Sequence, residues 1–247
     1  MNIASKANSR TVIRWPLEAN DRSPAGLVQA LGGKFSRQLG IHLASRKSSE
    51  IFKWFLASIL FGARISETIA VRTYRKFENE GLVDPRQIVD RGWDALTMVL
   101  DRGGYVRYDF KTATKLLDVS RALLEKYGGS LNRVHAMASD PRDLERRLKA
   151  LGKGIGQVTV NIFLRELRGI WPKAEPLPSE LVLTAAKNLR LIPRASDERA
   201  ALQLLEEEWR RDGNDPRGFA DFEAALVRSG LALRKASRSK SARRKSH

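Results

Sequence analysis

The chain has 247 residues, 42% of them hydrophobic, enough to build one sizeable core or two small ones. Its 45 Lys and Arg against 28 Asp and Glu give a formal charge of +17. That balance is the footprint of a polyanion binder, with nucleic acid first among the partners, although a basic surface also serves plain solubility. There is no cysteine, which excludes disulfides, thiolate zinc sites, thiol nucleophiles and cysteine-ligated iron–sulfur clusters.

No apolar run reaches the length of a membrane span, and Met1 to Arg14 lacks the apolar stretch of a secretory signal, so a soluble, cytoplasmic protein is expected. His42, His135 and His247 lie too far apart in sequence to suggest a metal site. Pro24 to Leu43 reads as helical, broken at Gly32 and Gly33. From Ser49 to Phe77 apolar residues recur at helical spacing (Ile51, Phe52, Phe55, Leu56, Ile59, Leu60, then Ile65, Ile69, Tyr74, Phe77), which predicts two helices meeting at Gly62. Ser48 and Ser49 would cap the first, and Ser66 with Glu67 would open the second. Asp84-Pro85 starts another helix, and Trp93 to Asp101 the next, closed by Gly103 and Gly104.

An amphipathic helix follows over Tyr108 to Tyr127, and Asp140-Pro141 opens one that ends near Leu151. Gly152 to Gly156 is the tightest glycine cluster in the chain, and helix resumes at Gln157 towards Arg168. Three prolines between Trp171 and Ser179 dictate an extended connection before a helix over Glu180 to Leu191. Ser196 to Arg211 and Asp215 to Leu233 are again helical. Arg234 to His247 holds seven Lys or Arg and no acid, and reads as a disordered tail that adds affinity without specificity. Removing those seven from +17 still leaves +10, so the folded part is basic by itself. No strand pattern stands out, and the expected class is all-α.

The segment Leu151-Gly152-Lys153-Gly154-Ile155-Gly156-Gln157-Val158-Thr159 sets an apolar residue between two glycines, with an amphipathic helix on each side. Gly154 and Gly156 admit backbone angles or close approaches that side chains forbid, so amides of the turn can converge on an anion beside a positive helix N-terminus. The plain alternative is a helix–helix connection that needs glycine only for packing.

Four pieces in order carry a resemblance. They are Phe52 to Arg64, then Gly103-Gly104-Tyr105 with the Lys111 to Tyr127 helix, then Leu148 to Thr159, and finally Pro176-Leu177-Pro178-Ser179-Glu180-Leu181. Over Glu50 to Ile192 the chain resembles the helix-hairpin-helix DNA glycosylase superfamily, which includes the endonuclease III, MutY and alkyladenine glycosylase types. The resemblance implies an all-helical, two-lobed fold with a DNA cleft between the lobes. Residues 49–192 would form a core with its hairpin at 151–159, while 1–48 and 193–233 would build the second lobe ahead of the 234–247 tail.

By that resemblance, amides at Gly154, Gly156 and Val158 would meet a phosphate, helped by Lys153. The main-chain carbonyls of Ala150, Gly152 and Ile155 would hold a monovalent cation, Na or K. Glu180 falls where relatives place a catalytic Asp, and it would act on a base flipped out of the duplex. Glu180 also sits where capping and the helix dipole favour an acid, and Glu175 is a second carboxylate to consider. Val158 occupies the position of the lyase lysine, so strand cleavage is not expected. Arg64 would fill the gap left by a flipped base, or else simply face phosphate or solvent. Tyr105, Tyr108 and Trp54 offer aromatic walls, Trp54 more naturally as core. The leading expectation is a monomeric, monofunctional base-excision glycosylase acting on double-stranded DNA. A non-catalytic DNA-binding protein that kept the hairpin is the alternative, and a basic helical scaffold for RNA or protein is the third.

Overall fold

Helix starts in this chain are written by short polar caps. In the computed structural model, which describes residues 23–245, Ser23, Ser66, Asp84, Asp140, Ser179 and Asp197 each accept a hydrogen bond from an amide in the first turn of the helix that follows. Pro24, Pro85 and Pro141 stand where a missing N–H costs nothing. Each such cap stabilises its helix by about 1 kcal/mol.

The elements are α1 (Pro24–Leu31), α2 (Phe35–Gln38), α3 (Ser48–Phe61), α4 (Glu67–Asn79), α5 (Pro85–Arg91), α6 (Trp93–Gly103) and α7 (Asp109–Tyr127). They continue with α8 (Leu131–Met137), α9 (Pro141–Lys149), α10 (Gln157–Arg165), α11 (Glu180–Asn188), α12 (Glu198–Arg211) and α13 (Phe219–Lys245). The structure is all-α, with no strand among the described residues.

α3 is buried almost all round, from Ile51 to Leu60, and packs against α4, α8 and α10. A helix apolar on every side belongs in the middle of a core. Its Trp54 donates the indole N–H to the Phe163 carbonyl of α10 at 3.0 Å. Around it α4 packs on α6, α5 and α6 pack on α7, and α8 joins α7 to α9. α13 packs instead on α1, α11 and α12. The two sets meet through polar ties: Glu166, at the end of α10, accepts the amides of Phe35 and Ser36 at 2.8 and 2.9 Å, and Arg168 donates to Glu223 at 2.8 Å.

Four expectations need correction. Neither Ser48 nor Ser49 caps α3; the boundary residue is Lys47, and the Ser48 hydroxyl lies 3.2 Å from that of Ser130. α8 is an additional short helix. α10 ends at Arg165 rather than Arg168, because Glu166 turns its carboxylate to the α2 amides. The basic segment 234–245 is not disordered but continues α13 to Lys245. No Gly or Pro follows Gly230, and adding residues to a helix already nucleated by packing is cheap. Residues 1–22, part of the expected second lobe, lie outside the described residues.

Candidate nucleic-acid interface

The candidate site lies at the α9–α10 connection, and α9 is fixed first. Asp140 caps it, and the Asp143 carboxylate holds Arg147 Nε at 2.9 Å and the Ser139 amide at 2.9 Å. Those hydrogen bonds, together with Arg146, bring the Asp143 carboxyl down to about 2. Leu144, Leu148 and Leu151 anchor the helix in the core.

The turn then closes through the Ile155 amide on the Gly152 carbonyl at 3.2 Å, with Ile155 buried. Gly154 has φ +88°, the left-handed region that glycine enters without penalty. Gly152 and Gly154 lie against Val119 and Lys115 of α7, so a side chain at either would meet that helix. Burial lowers the pKa of the Lys115 ammonium.

Gly156 differs from both. Its φ of −99° and ψ of −179° are open to any residue, and a Cβ there would meet nothing of the protein within 4 Å. It stands at the α10 N-cap with no side chain to serve the helix amides. The amides of Gln157, Val158 and Thr159 therefore have no hydrogen-bond partner among the described residues, and Val158 is 63% exposed. The expectation that Gly156 eases the backbone is thus not met. What glycine leaves at this position is room in front of a helix N-terminus.

Other expected residues gather at the same end of α10. Gly62 approaches the Thr159 side chain so closely that a Cβ would collide with its hydroxyl, which seats the α3–α4 turn against the first turn of α10; Arg64, two residues further on, is exposed. Lys153 is exposed on the turn. The Ala150 and Ile155 carbonyls accept no hydrogen bond among the described residues, and the Gly152 carbonyl accepts one, so all three retain lone pairs for a cation. On the other side, Asn161 donates to the Leu177 carbonyl at 2.6 Å, and Arg168 to that of Pro176. These bonds tie the proline-rich connection to α10 and to the turn that follows it, just before Glu180, the exposed first residue of α11.

The aromatic expectations divide. Trp54 is core, as its apolar stripe suggested. Tyr105 is not a wall for an extruded base, because it is buried with its hydroxyl on the Leu60 carbonyl at 3.0 Å. Tyr108 packs edge-on against it. Glu175 lines a cavity of about 540 Å³ together with Arg46, Trp171, Glu206 and Arg210, towards the opposite end of α10. Glu180 is not among that cavity's lining residues.

No protein-family model matches the chain, and no curated protein does either. Unpaired amides, the positive end of a helix and the cations Lys153, Lys115 and Arg64 together suit a phosphate. Among the described residues no group of three His, Asp or Glu could hold a metal ion, and no helix is long and apolar enough to cross a membrane. Lys115 and the Gly62–Thr159 contact were not singled out in the sequence, since both join residues far apart along the chain.

Proposed function

We propose that this chain is a duplex-DNA-binding protein that grips a backbone phosphate at the N-terminus of α10. The observation that carries this reading is Gly156. A Cβ there would touch nothing in the protein within 4 Å, yet the position fronts three unpaired amides, with exposed Lys153 on the same turn and exposed Arg64 on the turn that packs against Thr159 through Gly62. The open space serves something outside the chain. The net charge of +17 makes that partner a polyanion, and the resemblance to helix-hairpin-helix glycosylases makes it DNA. Two packing sets, α3 to α10 and α1 with α11 to α13, would suit a two-lobed reading, but α11, expected within the 49–192 core, packs on α13 instead. A Na or K ion on the Ala150, Gly152 and Ile155 carbonyls would add positive charge at the turn.

Gly156→Asp tests the reading. Aspartate is among the best N-caps, so the variant should melt no lower than the parent while its carboxylate occupies the amides. Binding to a short duplex, followed by fluorescence anisotropy, should fall at least about tenfold, since a charge-assisted contact is replaced by repulsion. Unchanged binding in a folded variant would remove the phosphate site.

A second reading, base excision without strand cleavage, is favoured by one observation. The Asn161 and Arg168 bonds hold the connection so that Glu180 stands free at the α11 N-terminus, with no side-chain partner among the described residues. In that reading Glu180 supports attack of water on a flipped nucleotide, and Val158 supplies no amine for a lyase step. Incubation with duplexes carrying uracil, oxidised purines, alkylated purines or mismatches decides it. Base release by the parent and none by Glu180→Gln, with DNA binding retained, establishes the enzyme; no release across the panel leaves the binding protein.

A further inference from the structure

Four of the large exposed apolar residues, Trp93, Met98, Val106 and Phe110, fall on α6, α7 and the loop between them. Two of these make an ordered pair. The rings of Trp93 and Phe110 stack at 5.4 Å with 28° between their planes, and the Trp93 indole N–H is held by the Thr114 hydroxyl at 3.0 Å. Trp93 is 39% exposed and Phe110 60%. Exposed aromatic rings tend to rearrange to hide their surface. This pair is instead pinned by a hydrogen bond with its outer face open.

Its neighbourhood says what the face would meet. Thr114 lies on the exposed side of α7, which runs from Phe110 and Thr114 across Lys111 and Asp118 to Lys115, against Gly154 of the α9–α10 turn. Together with Arg121 this face presents three cations, Lys111, Lys115 and Arg121, to two carboxylates, Asp118 and Glu125. Lys115 and Phe110 are five residues apart, about 7.5 Å along the axis of α7 and about 140° around it, so they stand at the two flanks of this face. A cationic track joining a phosphate site to a flat aromatic platform is the arrangement that holds unpaired nucleotides, the backbone on the cations and a base on the ring.

We propose that Trp93 and Phe110 form a stacking platform for unpaired bases of the DNA whose duplex part is held at α10, so that the preferred ligand is a junction between double and single strand. This rests on the duplex-binding reading above and deepens it. The partner is an unpaired nucleobase rather than a second protein surface, because the platform is continuous with a basic helix face.

The full-length protein is titrated with three labelled DNAs at one salt concentration: a blunt duplex, the same duplex with a ten-nucleotide thymidine extension, and the same duplex with an abasic extension of equal length. The abasic strand carries the same phosphates without bases. The parent should bind the thymidine-tailed duplex at least about fivefold more tightly than the abasic-tailed one, the gain expected from one stacked base. Phe110→Ala and Trp93→Ala should lose that difference and keep the affinity for blunt duplex. Phe110 has its ring largely in solvent, so its variant folds even if Trp93→Ala does not.

Equal affinity of the parent for the two tails, or a preference surviving in Phe110→Ala, overturns the platform. So does sedimentation showing a dimer that Phe110→Ala dissociates, which would make the pair a contact between copies. If blunt duplex binds and only the tail preference is missing, the platform alone fails; if no DNA binds, the duplex-binding reading fails with it.

Discussion

The guanidinium of Arg228 lies 3.7 Å from the ring centre of Phe35, so α13 reaches over the segment that opens α2. The same guanidinium donates to the carbonyls of Gly32 and Gly33 and to Gln38, while the Phe35 amide is taken by Glu166 of the α10 end. Burial lowers the Arg228 pKa, the sign of a charge drawn well into the protein. Arg228→Lys should therefore not be conservative. An ammonium cannot span two carbonyls and an aromatic face with a planar fork. A loss of about 1–2 kcal/mol is expected, or about 2–8 °C in melting temperature for a domain of this size, read by thermal denaturation.

The glycines of the turn should separate stability from binding. Gly154→Ala forces a β-carbon into a left-handed backbone at φ +88°, and Gly152→Ala drives one against Val119. Each should cost about 1–2 kcal/mol in urea denaturation. Gly156→Ala changes neither the strain nor the packing and should stay within about 1 kcal/mol of the parent. A large destabilisation by Gly156→Ala would mean that the space in front of α10 is used by the fold itself.

Salt dependence counts the phosphate contacts. Lys153→Ala, Arg64→Ala and Lys115→Ala should each flatten the plot of log affinity against log salt by about 0.9 of a unit if that side chain neutralises a phosphate. A parallel line with a weaker intercept would show that the residue acts on the fold instead.

Deleting residues 234–247 should leave the melting temperature nearly unchanged, because Arg234 to Ser239 are exposed and add no buried apolar surface. The affinity for duplex should fall and its salt slope flatten, since seven positive charges leave with the segment. Circular dichroism should register the loss of about three helical turns, which a disordered tail would not show.

Acid should loosen α9 at a defined point. The Asp143 carboxyl sits at about 2 against an ordinary 3.8, held by Arg147 and the Ser139 amide. A depressed carboxyl stabilises the fold above its unfolded value, and that contribution is lost as pH falls through about 4 towards about 2. Asp143→Asn should remove this part of the acid sensitivity, and denaturation midpoints at pH 6 and pH 3 compare the two.

Most of the helix order is legible in the sequence because its caps are local. Asp84-Pro85, Asp140-Pro141 and Ser66 each mark a start without reference to anything distant. α8 escaped because a seven-residue helix with Leu131 and Val134 as its buried apolar residues carries too little periodicity to read. The turn was visible as a glycine cluster, but the separate duties of its glycines were not. Gly152 and Gly154 answer to α7, more than thirty residues upstream, and Gly156 answers to no residue at all. The Trp93–Phe110 pair and the Lys115 position were invisible for the same reason, since only the packing of α6 on α7 brings the two rings together and only the fold lays α7 against the turn. The composition of 234–245 was read as unstructured because it buries nothing, whereas α13 had only to be extended.

α10 is nine residues long, with its free amides at one end and Glu166, which holds Phe35 and Ser36, just past the other. One residue turns an α-helix by about 100°. A single insertion or deletion between Gln157 and Arg165 would swing one end away from its partner while leaving the other in place. The number of residues in this helix is therefore as constrained as their identity, and length variation should be confined to surface loops elsewhere in the chain, such as those flanking α12.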